Sequence, residues 1–597
     1  MNTDTDIIGI DTAGSLAGLL CERVKRSAMA IAYRDFDASR NAWVDRAWRD
    51  VAKQAARWQA AFQKEGFKAG DRVGIILRNC SDWAIFDQAA LGLGLVVVPL
   101  YVEDRPENSA YCLTDSGAKL LVFEGDEHWQ RLTPVMAQMP NVERFVSLQK
   151  ITGQRDSKLV FAEDWLPKEA AEFVANSVAS NSLATIVYTS GTTGRPKGVM
   201  LSHGNILSNA GSALRTFSVY PSDRFLSFLP LSHMLERMSG YYLPIMAGAT
   251  VAYARSVALL AEDLLSQQPT ILISVPRIYE RVYTRINEQL AAGSPIKRIL
   301  FNLATSVGWS RFEYQQGRGP WKPLMLIWPI LEKLVAGKIM SKLGGRLRTA
   351  IAGGAALSPE ISKVFIGLGL PILQGYGLTE TSPLLTVNRL ESNEPASVGQ
   401  PAPGTELKVG ENSVLLARGP QVMLGYWNNP TATAAVLSAD GWFNTGDQAR
   451  IDPSGHVYIT GRVKDIIVLA NGEKIPPVDM ELAIIADPLF EQVMVLGEGK
   501  PYLSVLTSLN QEQWGKLAAQ ADFAADTPNV GIVHKVLLER ISIRLNGFPG
   551  YAQIRRVAAT ITPWTVDNGF LTPTLKVKRI KVLEHFANEI TALYDKK

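Results

Sequence analysis

Over residues 48–125 the chain alternates between helical and strand periodicity. WRDVAKQAARWQAAFQKEGF (48–67) sets Val51, Ala55, Trp58 and Phe62 on one face of a helix. DRVGIIL (71–77) is a short apolar strand run, and WAIFDQAALGLG (83–94) is a helix that ends in glycines. VVVPLY (96–101) and AKLLVFEG (118–125) are strands again. This β-α-β-α-β order predicts a parallel sheet with helices on both faces. A second block of the same kind is expected over 269–377, and no internal repeat is visible.

The rhythm changes near residue 461. Short strands with turn residues precede it, and a compact tail with its own strands and helices follows. We place a boundary at 461–465, which gives an N-terminal domain of 1–461 and a C-terminal domain of 462–597. Gly461 and the charged Arg462, Lys464 and Asp465 predict a solvated, mobile hinge there.

Composition excludes several classes. Hydrophobic residues make up 47% of the 597 and charged residues 20%, so the chain is globular rather than disordered or fibrous. The 61 Lys and Arg nearly balance the 57 Asp and Glu, for a net +4, and no block of like charge reaches five residues. A basic face for nucleic acid is therefore not indicated. Cys21, Cys80 and Cys112 fit no metal or redox spacing and suit a reducing compartment, hence a cytoplasmic location. The polar, acidic start is not that of a signal peptide. The longest uncharged stretch, 238–254, contains Gly240, Pro244 and Gly248 and is too short to span a bilayer. One segment stands apart: PLMLIWPIL (323–331), apolar and flanked by Lys322 and Lys333. A buried helix is its simplest reading; the alternative is a peripheral patch that dips into the inner face of a membrane. The sequence leaves the oligomeric state open, a homodimer included.

The sharpest local signal is ATIVYTSGTTGRPKGVMLSHGN (184–205). An apolar strand runs into Thr189, Ser190, Gly191, Thr192, Thr193, Gly194, Arg195, Pro196 and Lys197. Small residues let backbone N–H groups turn toward an anion, hydroxyls add donors, and Lys197 adds charge. A Walker A loop is excluded, because Pro196 stands where glycine should precede the lysine and Gly198 follows in place of Ser or Thr. GVMLSH reads as a strand, so the loop should join two strands and close over a phosphate chain.

YTSGTTGRPKG resembles the signature loop of the adenylate-forming superfamily: acyl-CoA synthetases, peptide-synthetase adenylation domains and luciferases. Further segments resemble the family's other motifs in order. These are GGAALSP (353–359) along adenine, GYGLTET (375–381) at the nucleotide and its magnesium, WFNTGD (442–447) at the ribose, and GRVKD (461–465) at the hinge. The resemblance covers the chain from about residue 15 to its end. It implies an α/β fold: a large N-terminal domain of layered α/β sheets plus a distorted β-barrel, with a small mobile α+β C-terminal domain. It implies ATP and Mg²⁺ as well, with a carboxylate activated as its acyl adenylate and pyrophosphate leaving.

Roles follow from the same resemblance. Glu380 is the magnesium ligand, with Thr189 in the metal and phosphate shell, and Thr379 donates to the α-phosphate. Asp447 accepts the ribose hydroxyls, for which a carboxylate has enough acceptor capacity. Arg462 approaches ribose or phosphate from the hinge. Tyr376 stacks on adenine, and Gly353, Gly354, Ala355, Gly375 and Gly377 let the backbone come close. VDNGFLTPTLKVKR (566–579) carries the catalytic lysine. Small adenylating enzymes place Gly before it; Leu575 stands there instead, as in long-chain acyl-CoA synthetases, so Lys576 is the expected residue. Lys578 is its rival, since both fall in a strand-like run and should face the same side. His233, in FLPLSHMLERM, aligns with a gate on the acyl side; His203 is expected to support the phosphate loop.

The same stretch lacks the Asp with which amino-acid adenylation domains hold the substrate amine, so an apolar acid is expected. VPRIYERVYTRI (275–286) and the long interval after it resemble the long-chain synthetases, which implies a fatty acid. The helix after His233 and residues 375–378 should form the acyl wall. Coenzyme A is the expected acceptor, because no insertion that would block rotation of the C-terminal domain is visible over 403–461. Lys464 and Asp465 sit at the hinge, and the loop around Gly472 would line the pantetheine tunnel. A carrier protein as acceptor, or an aryl acid as substrate, are the alternatives.

Overall fold

The alternating segments assemble into two large sheets that share one core. The computed structural model describes residues 5–153, 156–189, 195–521, 531–572 and 575–595. In the eight-stranded sheet, Arg72–Ile76, Val96–Pro99, Leu120–Phe123, Arg144–Ser147 and Leu159–Phe161 run parallel. Leu183–Thr189 joins parallel to Val96–Pro99, and Lys197–Ser202 returns antiparallel beside it. The phosphate-type loop thus joins two neighbouring strands, as GVMLSH predicts. In the nine-stranded sheet, Ile271–Ser274, Thr349–Ala352 and Ile372–Gly377 are parallel neighbours, in register Ile271 to Thr349 and Ala350 to Ile372. That sheet also takes in Ile31–Asp37, Arg224–Ser227 and Thr250–Tyr253, so it extends well beyond the 269–377 block.

The predicted helices lie at Trp48–Lys64 and Ser81–Gly92. The first buries one stripe that includes Val51, Ala55, Trp58 and Phe62. The second is buried all round, which places it between layers rather than on the surface. Apolar residues of both helices and of both sheets belong to a single buried cluster. Burial on all sides forces Asp87, in the second helix, to find a countercharge: it pairs with Arg237, and both side chains are fully buried. Tyr241 and Tyr242 hydroxyls also donate to Asp87. Arg237 also donates to Thr185 Oγ1, while its Nε stays without a partner, so the buried pair rests on the charge attraction and on the hydrogen bonds that converge on Asp87.

Where the resemblance implies a distorted barrel, there is a four-stranded antiparallel sheet of Glu406–Val409, Val414–Arg418, Phe443–Ile451 and Val457–Arg462. Gly461 is therefore buried inside a strand and is not part of a solvated linker. The exposed turn is 463–465, closed by Asp465 N–H donating to the Arg462 carbonyl. Beyond it, Phe490–Leu496, Leu503–Leu509 and Ile554–Thr560 form a three-stranded sheet. Two further clusters consist wholly of residues from Ile467 onward.

PLMLIWPIL is neither wholly buried nor wholly exposed. It forms short helical turns that bury Met325, Trp328 and Leu331 and expose Leu324, Leu326 and Ile330. No helix among the described residues is long and apolar enough to cross a membrane.

Candidate active site

The carboxyl end of Leu183–Thr189, the end of Ile372–Gly377 and the strand residues Thr445, Gly446 and Arg462 meet at one cleft of about 1690 Å³. That exceeds the roughly 300–1,000 Å³ of a single small-ligand pocket and leaves room for two substrates. Thr189, Lys197, His233, Gly353, Gly354 and Gly375–Gly377 line it, as do Thr379, Glu380, Arg462, Lys464, Asp465 and Lys576. Gly472, Ala355 and Asp447 are not among its lining residues, although Thr445, Gly446 and Arg462 beside Asp447 are. Ser190, Gly191, Thr192, Thr193 and Gly194 lie outside the described residues.

The GYGLTET segment owes its shape to a close backbone approach. A Cβ on Gly377 would lie 1.8 Å from the Pro383 carbonyl oxygen, so no other residue fits. Gly354 has φ +80°, the left-handed region that glycine enters without cost. Thr379–Thr381 then turns tightly, with Leu378 N–H donating to Thr381 Oγ1 at 3.0 Å. Asn209 steadies the following strand: its amide donates to the Leu384 carbonyl and its Oδ1 accepts from Leu384 N–H.

Asp447 is almost fully buried, and both its oxygens are engaged. Arg462 Nε donates to Oδ1 at 2.7 Å and the Tyr376 hydroxyl to Oδ2 at 2.6 Å. Asp447 and Arg462 are register partners on adjacent strands, which puts the carboxylate and guanidinium on one face. An ionised carboxylate has about four acceptor positions, so two stay available for hydroxyl donors. Burial, and then the Asp447 charge, raise the Tyr376 phenol well above its ordinary pKa and keep it a donor.

Glu380 has a partner that sequence reasoning missed. The Tyr426 hydroxyl donates to Glu380 Oε1 at 2.9 Å, and Lys197 Nζ stands 5.1 Å from the centre of the same ring. Tyr426 thereby ties the lysine of the phosphate-type loop to the GYGLTET carboxylate. Its only signal in the sequence is the aromatic pair of GYWNNP (425–430), which names no partner.

Lys576 and Lys578 both line the cleft but meet different charges, and the run that carries them is not a strand. Leu575 has φ +60°, Leu571 and Val577 form an isolated bridge, and a helix starts at Arg579. The strand-like run is a tight turn, so the period of two never operates. Lys576 is open to the water of the cleft yet crowded by protein. That crowding, and then the Arg462 charge, lower its pKa from the ordinary lysine value, while Asp447 and Glu380 oppose the shift. Lys578 is depressed by burial too, but its charged neighbours are Asp104, Arg105 and Lys581. The turn also explains why glycine suits the position before the lysine.

His233 caps the short helix after it, its Nδ1 accepting from Leu235 N–H at 3.2 Å. Burial, with a smaller push from Lys576, lowers its pKa to about 4. The ring is neutral near pH 7, and with Nδ1 accepting, its proton sits on Nε2. The loop that His203 is expected to support lies, over 190–194, outside the described residues. His203 is buried at the start of a helix, with its Nδ1 accepting from Leu16 N–H at 3.3 Å, so it anchors the N-terminal segment.

The cleft continues past His233 along apolar side chains, among them Phe217, Leu235, Met238, Ile351 and Leu384. The helix after His233 and residues 375–378 both contribute to this wall, in line with the sequence.

Comparison with known proteins identifies the family. Residues 21–427 match the AMP-binding enzyme family, and 464–597 match the AMP-binding enzyme C-terminal domain. The chain is 34% identical over 573 residues to the long-chain-fatty-acid–CoA ligase FadD15 of Mycobacterium tuberculosis, covering 93% of each. It is 30% identical to the chloroplastic long-chain-fatty-acid–[acyl-carrier-protein] ligase AEE15 of Arabidopsis thaliana, over 89% of this chain and 80% of that one. Among solved structures, the anthranilate CoA ligase AuaEII with anthranoyl-AMP superposes with a TM-score of 0.74 at 20% identity, covering 97% of this chain and 98% of that one. ATP-bound MatB of Rhodopseudomonas palustris gives 0.70 at 20% identity, covering 97% and 99%. The chain belongs to the AMP-binding enzyme family.

Proposed function

We propose that the protein is an ATP-dependent, AMP-forming ligase that joins a long-chain fatty acid to coenzyme A. One observation carries the reading: a single cleft is lined both by Lys576, Glu380 and Arg462 and by a set of apolar side chains that includes Phe217, Leu235, Met238 and Ile351. Each methylene buried along such a wall adds about 0.8 kcal/mol, so a long chain would bind far better than a short one.

In the first half-reaction the acid's carboxylate oxygen attacks the α-phosphorus of ATP, and the bond to pyrophosphate breaks. Lys576 offsets the charge that builds on the α-phosphate and carboxylate oxygens. Asp447 takes the ribose hydroxyls, Thr379 donates to the α-phosphate, and His233 closes the acyl side with Nε2–H as its donor. Glu380 is a hard oxygen ligand with Oε2 free of Tyr426, which suits Mg²⁺ shared between one carboxylate and substrate phosphates. When bound, Mg²⁺ supplies charge neutralisation at the phosphates.

In the second half-reaction the CoA sulfur attacks the acyl carbonyl, its proton is released, and the C–O bond to AMP breaks. We assign this step to rotation of 462–597 about the exposed turn at 463–465. Rotation would withdraw Lys576 and bring in the loop around Gly472, which is not among the residues lining the present cleft.

The test is pyrophosphate release over saturated acids from butyrate to icosanoate, with CoA, with acyl carrier protein and with neither. Palmitate with CoA should give palmitoyl-CoA, AMP and pyrophosphate. Turnover of aryl acids with none of any fatty acid would refute the substrate; transfer to carrier protein alone would refute the acceptor.

A further inference from the structure

Residues 295–342 form a helical appendage: Pro295–Gln315, then the turns Pro323–Ile327, Trp328–Leu331, Glu332–Ala336 and Gly337–Lys342. Its inner side is fully committed. Phe301, Ala304 and Val307 of the long helix pack on Trp328, Leu331 and Ala336 of the turns. Arg311 lies over the Trp328 ring at 5.5 Å. The long helix is also locked onto the neighbouring helix Pro359–Gly367: a Cβ on Gly308 would lie 1.8 Å from the Gly367 carbonyl oxygen.

Its outer side is apolar in a way the rest of the surface is not. Of the 24 exposed large hydrophobic residues described, eight fall within these 48 residues. Leu326 is 72% exposed, Ile296 66%, Ile299 64% and Ile330 61%. Clustering on this scale marks a contact surface, whereas single exposed leucines do not.

Charge identifies the occupant. The appendage carries eight basic residues against Glu313 and Glu332, a net +6, while the whole chain carries +4. The remainder is therefore −2, so the chain's entire positive excess resides here. Lys297, Arg298, Lys333 and Lys338 are exposed and have no ion-pair partner among the described residues. A two-fold contact with a second copy would set +6 against +6 and is disfavoured. Exposed leucine, isoleucine and tryptophan amid lysines are the composition that lies in the interface of a bilayer with anionic headgroups.

We propose that the outer face of 295–342 docks on the surface of an anionic phospholipid bilayer, without spanning it. Leu324, Leu326 and Ile330 enter the headgroup region while the lysines meet lipid phosphates. Pro359–Gly367, against which the long helix packs, leads into the strand Ile372–Gly377 that ends in the active site. The inference rests on this surface alone and stands whichever acid is activated.

The test is co-sedimentation of the full chain with vesicles, either pure phosphatidylcholine or an equal mixture with phosphatidylglycerol, at low and high salt. The anionic vesicles should bind it, the neutral ones should bind it far less, and salt should release it. Leu324→Ser/Leu326→Ser/Ile330→Ser should weaken binding by about tenfold or more, and Lys333→Glu/Lys338→Glu should abolish the preference for anionic lipid. All three replaced apolar residues are exposed, so pyrophosphate release with a water-soluble acid should report an intact fold. Equal binding to both vesicles, no binding at low salt, or undiminished binding of the triple variant overturns the proposal. A dimer that the triple variant dissociates, with no vesicle binding, overturns it in favour of a second copy.

Discussion

Replacing Lys576 with alanine separates the two half-reactions. Its ammonium is placed with Arg462, Asp447 and Glu380 around the cleft, and no other lysine has that set of neighbours among the described shifts. At about 4 Å and an effective dielectric near 20, a unit charge acting on the developing negative charge contributes about 4 kcal/mol. Loss of that term slows acyl-adenylate formation by about a thousandfold. Lys576 projects into the water of the cleft, so the fold should survive its truncation. The assay has two arms: pyrophosphate release from fatty acid and ATP, and thioester formation from preformed acyl-adenylate and CoA. Lys576→Ala should collapse the first and spare the second; Lys578→Ala should alter the first only slightly. The pH profile gives an independent readout. Lys576 acts as a cation, and its pKa lies below the ordinary lysine value, so adenylation should fall as pH rises through that lowered pKa. Lys576→Arg should retain part of the rate and shift the alkaline limb upward, because guanidinium does not titrate there. Full adenylation in Lys576→Ala with loss in Lys578→Ala would refute the assignment. An equal fall in both half-reactions would refute a role confined to adenylation.

Three further outcomes follow from the packing. Leu575→Gly removes a left-handed strain of about 1–2 kcal/mol, offset in part by about 0.5–1 kcal/mol of chain entropy; thermal denaturation should show unchanged or slightly raised stability, and a large loss would contradict the turn. Asp87→Ala strands the buried Arg237 and should cost about 3–5 kcal/mol in denaturant unfolding, with little change in m. His203 and His233 both have pKa values lowered from 6.5 to about 4, mainly by burial. Their contribution to stability is full above pH 6.5 and is lost as pH falls toward 4, where the unfolded chain takes up protons first. For the buried His203 this amounts to about 3 kcal/mol, and His203→Gln should flatten the acid side of the stability curve.

The parts of the fold that were legible in the sequence are those set by neighbours along the chain. The helix Trp48–Lys64 and the strands Arg72–Ile76 and Val96–Pro99 follow from local periodicity, which needs no knowledge of a partner. The pairing of Leu183–Thr189 with Lys197–Ser202 was legible because apolar strand runs stand directly on both sides of a short loop. Tyr426 was not, because Glu380 lies 46 residues away and nothing local marks a hydroxyl that reaches it. Asp87 likewise looked like an ordinary helical carboxylate, since its countercharge is 150 residues distant. Gly461 looked like a hinge because glycine beside charges usually is one; strand pairing with Gln448 overrides that tendency.

The lysine pair shows where periodic reasoning fails for a physical reason. Alternation puts i and i+2 on one face only while successive residues keep extended φ and ψ. One left-handed residue at Leu575 and a helix start at Arg579 break that condition on both sides of the pair. Both lysines then line the cleft, but Lys576 is set beside Arg462, Asp447 and Glu380 while Lys578, at the N-cap position of the helix, meets Asp104 and Arg105. The segment 323–331 fails in the opposite direction. Read as uniformly apolar it has no sidedness, yet Met325, Trp328 and Leu331 recur every third residue and all turn inward. That spacing is the period of a tight helical turn, and it leaves Leu324, Leu326 and Ile330 outward. The exposed leucines are thus a consequence of how the segment buries its tryptophan, and Trp328 itself belongs to the core rather than to any membrane-facing surface.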